Sequence, residues 1–258
     1  MLLANLMTTI ELIHSHGSVR SYKSDPVSAE TIERIVNAAQ RSSSSSNLQM
    51  RSVVAVTDTR ARNRLAELCG DQQSISEAPV FLAWCADLNR MDRVCELRGY
   101  KQVTEYVENF LIAAIDVSIA SQTAALAAES LGLGICYIGA IRNNPREVID
   151  LLGLPRLVFP VMGMTVGWPT AKPRIRPRLP IHAVLHWQTY HRDQDPELYQ
   201  YDREMFETGI YQERQVPVPG KSSETEDYGW LEHSARRVSR PTRTILRDVL
   251  IDQGFGLN

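Results

Sequence analysis

The chain has 258 residues, 43% of them hydrophobic and 22% charged, a balance that suits a globular protein with a sizeable core and argues against disorder along its length. A formal net charge of -2 gives no global field for nucleic acid or an anionic membrane, so neither is expected as a partner and any anion site must be local. The four cysteines contain no CxxC pair, which argues against a disulfide framework or a zinc site, and no metal is expected.

The first twenty residues carry no basic region and no small-residue cleavage site, so a signal peptide is not expected and the cytoplasm is the default compartment. Ile10, Leu12 and Ile13 predict a short helix ending at the turn-prone HSHGS (14–18). Ser28, with Glu30 and Thr31 after it, marks a second helix start, and Ile32, Ile35, Val36 and Ala39 recur at helical spacing up to a run of five serines (42–46). The runs 52–57 and 79–86 read as buried strands, with a helix over 60–68 between them and Gly70 as its stop.

The apolar stretch from about 107 to 128 is interrupted by Glu108, Asn109, Asp116 and Gln122, so it reads as a buried helix, not a membrane span, and the segment 102–131 as the central helix of the core. A short extended element follows at 135–139, then a helix opened by Asn144-Pro145, then a strand over 157–168. IHAVLHW (181–187) alternates as a strand would, and His182 and His186 lack the acid of an HExxH motif. Helical patterns return over 230–238 and 241–250. Pro241 interrupts the spacing of Arg236, Arg240, Arg243 and Arg247, so these read as a solvated face or a dimer contact. One domain is expected over 1–258, with a core at about 8–190 and a C-terminal excursion at 191–258 whose mobile loop lies near 211–228.

Several short segments have the chemistry to hold an anion or a flat ligand, and each has an ordinary structural explanation as well. In an extended His16-Gly17-Ser18-Val19-Arg20, Ser18 and Arg20 point the same way, although a plain surface loop would look alike. The serine run is either a linker or a set of hydroxyls and amides for a phosphate or ribityl chain. Tyr137-Ile138-Gly139-Ala140 suits close approach of backbone to a flat ligand, or a tight packing contact. Arg176-Pro177-Arg178 projects two guanidinium forks from a stiff backbone, or is a solvated basic loop. Gly132 and Gly134 follow a helix instead of opening one, which excludes a dinucleotide fingerprint, and Cys136 has no basic partner nearby in sequence.

Taken in order, HGSVRSY (16–22), SSSSNLQ (43–49), GDQQ (70–73), AAESLGLGICYIGAIRNNP (127–145), GWP (167–169) and RPRLP (176–180) resemble the nitroreductase superfamily, within it the flavin reductase/NfsA-like group. The resemblance implies an α+β, nitroreductase-type fold, with a mixed, mostly antiparallel sheet flanked by helices, in an intertwined homodimer. It implies FMN as cofactor and NAD(P)H as cosubstrate, with NADPH favoured. The FMN contacts it implies are His16, Ser18 and Arg20; Ser44 and Gln72; Tyr137, Ile138 and Gly139; and Arg176 and Arg178. Arg214 and Lys221 are its candidates for the NAD(P)H phosphate.

The activity it implies is ping-pong hydride transfer through flavin to a nitroaromatic, a quinone or free flavin, with no side chain as catalytic acid or base. A flavin-binding redox-sensing module, or a dehalogenating or flavin-fragmenting enzyme, is the alternative. Two departures from the family pattern stand out: Gly17 occupies the place of a usual arginine, and Arg176 that of a usual lysine.

Overall fold

The computed structural model describes residues 7–212, 215–218 and 225–258. It divides into two compact units, one made of residues up to Arg174 together with Arg243–Asn258, the other of Ile175–Thr242. The division therefore falls at Arg174, not near 190, and the last residues of the chain return to the first unit.

In the first unit, α1 (Thr9–His14) starts at a reciprocal capping box: Glu11 N–H donates to Thr8 Oγ1 at 3.2 Å and Thr8 N–H to Glu11 Oε2 at 2.7 Å. Ser28 caps α2 (Ala29–Gln40), accepting from Thr31 N–H. Then come β1 (Arg51–Val56), α3 (Thr59–Leu68) capped by Asp58, α4 (Gln73–Glu77), β2 (Val80–Asp87) and α5 (Asn89–Arg98). The long α6 (Val107–Ser130) leads to β3 (Gly134–Ile138), α7 (Pro145–Leu152) and β4 (Val158–Gly167). Proline at the start of α7 and a left-handed Gly153 just past its end are the usual helix punctuation.

The second unit holds α8 (Asp195–Glu207) and α9 (Trp230–Val238). Leu231 N–H donates to Asp202 Oδ1 at 2.7 Å, and the Tyr201 and Trp230 rings meet edge to face at 5.1 Å. The expected strand over 181–187 is instead a 3-10 turn (Ile181–Ala183) and loop, with Ile181, Val184, Leu185 and Trp187 exposed. Alternating hydrophobicity formed no strand there because no neighbouring strand pairs with the segment. The chain then returns to the first unit as α10 (Leu246–Asp252), five residues later than the sequence pattern places its start.

Among the described residues the sheet has four strands in the order β1-β2-β4-β3, and every pairing is antiparallel, in place of the mixed sheet expected. The central β2 is buried along its whole length. On one face α2 and α6 pack over Leu82, Trp84, Met164 and Val166; on the other, α3 and α7 cover Phe81, Ala83, Cys85 and Ile138. Alanines at 113, 120, 124, 125 and 128 form the inner side of α6 and let the helix approach the sheet closely.

The outer side of α6 differs from the fully buried helix expected. Val107, Leu111, Ile115 and Ile119 recur every fourth residue and are 40–51% exposed. The helix is long and apolar enough to cross a membrane, but its alanine face is built into the core.

Candidate functional site

Residues 16–22 pass the start of β3 and reach the segment after β4, where Tyr22 pairs with Pro169. Val19 N–H donates to Ile135 O at 2.8 Å, and Val19 sits against Gly134 so closely that a Cβ there would lie 2.5 Å from it. Tyr22 secures the other end, its hydroxyl 2.7 Å from both Val19 O and Thr165 Oγ1, and burial pushes its phenol well above the ordinary value. With Gly17 and Val19 turned inward, Ser18 and Arg20 are exposed. The alternation expected from an extended strand is present, and among the described residues Arg20 has no hydrogen bond or ion pair.

His16 is fixed by α6: its Nδ1 lies 2.5 Å from Glu129 Oε1, while the buried Oε2 of Glu129 has no hydrogen-bond partner among the described residues. The carboxylate thereby orients the imidazole and leaves Nε2 directed elsewhere. A Cβ on Gly17 would meet Pro173 Cβ and Arg174 O, each at 2.8 Å. The family's arginine has no room here unless 173–174 shifts. A cavity of about 620 Å³ lined by Gly17, Glu129 and Lys172 retains one cation beside the position.

The serine run is a sharply folded loop. Ser46, Asn47 and Gln49 have φ of 47°, 57° and 53°, left-handed values that cost non-glycine residues roughly 1 kcal/mol or more each. Opposite them lies Asp116, fully buried on α6. It accepts from Ser44 Oγ at 2.6 Å, Ser45 N–H at 3.0 Å and Met50 N–H at 3.1 Å, with Arg51 Nη1 at 3.5 Å. Ser44 Oγ also accepts from Gln49 N–H at 2.7 Å. Its one proton is therefore committed inward, and it cannot donate to a phosphate. Ser43, Ser45 and Ser46 are exposed, and among the described residues their hydroxyls have no partner.

Gln72 begins α4, and its amide nitrogen donates to Cys69 O at 2.8 Å, leaving the amide oxygen outward. This turn sits beside the one that follows β3, joined by Asn144 Nδ2–H to Leu68 O at 2.7 Å. In Tyr137-Ile138-Gly139, Tyr137 OH donates to Gln122 Oε1 at 3.3 Å and burial raises its phenol; Ile138 is buried and pairs with Gly163 of β4. At Gly139 an added Cβ would have only Arg142 Nη2, 3.6 Å away, as a close neighbour. Arg142 itself donates to Val161 O, and burial, then the charge of Arg243, lowers its pKa.

Arg176 and Arg178 belong to the second unit, where both are exposed. Arg178 Nη1 donates to Pro177 O at 3.0 Å, and Tyr201 OH to the same carbonyl at 3.4 Å. Burial raises the Tyr201 phenol, against the opposing pull of the two arginines. Arg214 and Lys221 lie outside the described residues.

Within the first unit, His16, Ser18 and Arg20 thus share one extended segment beside the start of β3, and Gln72 lies in the turn after α3, which Asn144 ties to the segment following Gly139. Ser44 is anchored elsewhere. Asp116 and Glu129 are thirteen residues apart on α6, about 20 Å at 1.5 Å per residue. Both carboxylates escaped selection as functional residues; the available signal was an Asp within an apolar helix and a Glu just before the helix stop.

The nitroreductase family model matches residues 13–168, and that of the nitroreductase family C-terminal domain matches 176–258. Among curated proteins, the chain is 38% identical over 250 residues to an FMN reductase [NAD(P)H] of Bacillus subtilis, covering 95% of this chain and 97% of that protein. It is 36% identical over 247 residues to an oxygen-insensitive NADPH nitroreductase of Salmonella typhimurium, covering 96% and 98%. Among solved structures, B. megaterium NfrA2 superposes with a TM-score of 0.89 at 37% identity, covering 97% of this chain and 98% of that one.

Proposed function

Since the chain belongs to the nitroreductase family, we propose that it is an FMN-dependent NAD(P)H oxidoreductase working as a homodimer in the cytoplasm. FMN, when bound, supplies the hydride relay from NAD(P)H to a nitroaromatic, a quinone or free flavin. The observation that carries the reading is the exposed Arg20, without a hydrogen bond or ion pair among the described residues, held on one extended segment with Ser18 and the Glu129-oriented His16, together with the bare backbone of Gly139 at the end of β3. A fork with no partner of its own suits a phosphate, and a backbone with no side chain in the way suits a flat ring.

The residues divide the work. Arg20, Ser18 and His16 bind the phosphate end; the Tyr137–Gly139 backbone and Gln72 orient the ring; Arg176 and Arg178 place positive charge at its pyrimidine edge. None of these needs to act as acid or base. Arg214 and Lys221 are the cations proposed for the cosubstrate's phosphate, and NADPH is the cosubstrate named for the Salmonella relative.

The spacing along α6 supports a site shared by two chains. A ribityl phosphate arm is too short to reach from the His16 stretch to the serine run of the same chain, about 20 Å away along the helix. Two chains packed through Leu111, Ile115 and Ile119 would bring each serine run to the other's His16 stretch and cover the exposed apolar face.

The test is a visible spectrum of the purified protein. Expected is a flavin band that NADPH bleaches and a quinone or nitrofurazone restores. A preparation that neither takes up FMN nor oxidises NAD(P)H overturns the proposal. A band that NADPH bleaches but no acceptor restores favours the sensing module.

A further inference from the structure

We propose that Asp116 is a positioning residue of the flavin site: from inside the core it holds the serine run in the shape that leaves Ser43, Ser45 and Ser46 free to donate to a ribityl phosphate. This rests on the reading of that run as a flavin contact.

The geometry points to it in three ways. First, all of the carboxylate's contacts go to one short segment: Ser44 Oγ, Ser45 N–H, Met50 N–H and the Arg51 guanidinium. Second, three left-handed non-glycine residues, Ser46, Asn47 and Gln49, lie between those fastened points; at Ser46 and Gln49 the backbone is bent against its own preference, and the bonds to Asp116 on either side, with Arg90 on Gln49 O, keep it there. Third, Asp116 has no exposed surface and stands in a row of core alanines. An apolar side chain would fill that space without the loss of hydration, so packing does not account for the charge.

The bonding also sorts the five serines. Ser42 donates to Ala39 O at 2.7 Å, closing α2, and Ser44 donates to Asp116. The remaining three are exposed and, among the described residues, unengaged. A run of identical residues thus contains two that build the loop and three that are presented by it. Asp116 touches no ligand in this scheme and acts through the loop.

A double-mutant cycle on FMN affinity tests this, with flavin fluorescence as the readout and melting temperature measured without flavin alongside. The four proteins are wild type, Asp116→Asn, the triple Ser43→Ala/Ser45→Ala/Ser46→Ala, and the combination. Asp116→Asn and the triple should each weaken FMN about tenfold, and the combination should be little weaker than the triple, because Asp116 has no other route to the flavin.

Whatever the fall in melting temperature, a merely structural Asp116 would either leave affinity within about twofold of wild type or give losses that multiply with those of the triple. Either result overturns the inference alone. If the triple binds FMN as tightly as wild type, the serine run does not touch flavin, and that reading falls together with the inference. Should Asp116→Asn not fold, Ser44→Ala removes the loop's side of the same bond and takes its place in the cycle, with the same expected non-additivity.

Discussion

The two segments anchored by α6, one at its middle and one at its C-terminal end, solve the same problem by different physics. The His16 stretch is held by main-chain pairing to β3, by Val19 packed into the space left by Gly134 and by the Tyr22 hydroxyl, with Glu129 contributing one bond to one side chain. Among the described residues the serine run pairs with no strand; a single buried carboxylate makes three of the bonds that hold it, and Arg90 adds one to Gln49 O. Support spread over many weak contacts tolerates the loss of any one. Support concentrated in one buried charge does not.

The largest effect should come from removing that charge altogether. Asp116→Ala leaves Arg51 buried without its counter-ion and the Ser45 and Met50 amides without an acceptor, so a loss of about 3–5 kcal/mol is expected in chemical denaturation. Glu129→Ala, at the C-terminal end of the helix, should cost only about 1 kcal/mol, since it leaves the strand pairing of Val19 intact. Equal losses from the two substitutions would break the comparison.

Arg20→Ala should show the reverse profile. An exposed, unpaired guanidinium contributes little to the fold, so the melting temperature should stay put while FMN binds roughly tenfold to a hundredfold more weakly, as expected for loss of a charged hydrogen bond. Unaltered retention would count against the site. Gly17→Arg restores the family's usual residue, yet it forces a side chain into Pro173 and Arg174 O. A stability loss of about 1–3 kcal/mol without tighter FMN binding is expected in a melting and titration pair.

Much of this was legible from the chain alone, and the reasons are local. Ser28 and Asp58 cap helices where the pattern placed their starts, and the alternation at Gly17–Arg20 follows from any extended backbone. What the sequence hid depends on tertiary partners. α8 is too polar to show a strong apolar stripe and leans on Tyr201 and Met205; 181–187 alternates but finds no strand to pair with; α5 has only a weak apolar stripe. The inward turn of Ser44 was hidden as well. Nothing in five identical residues says which hydroxyl turns inward until Asp116 is placed beneath it.

The smallest expected effect probes the distributed support itself. Tyr22→Phe removes one hydroxyl from between Val19 O and Thr165 Oγ1, and Thr165 still donates to Cys136 O, so a loss of about 1 kcal/mol and less than a threefold change in FMN affinity are expected. The pH dependence separates this bond from the rest. Burial raises the Tyr22 phenol in the folded chain, so its contribution is fully present below the unfolded value of ~10 and is lost as pH rises above it. Cys69 and Cys85, pushed up by burial to about 12, weaken the fold in the same direction from ~8.5 upward, but they do so equally in both proteins. Wild type and Tyr22→Phe should therefore lose stability in parallel up to pH ~10 and converge above it. Curves that stay parallel throughout would mean that the phenol is not buried in the folded chain, and that the His16 stretch is less firmly packed against the sheet than its structure displays.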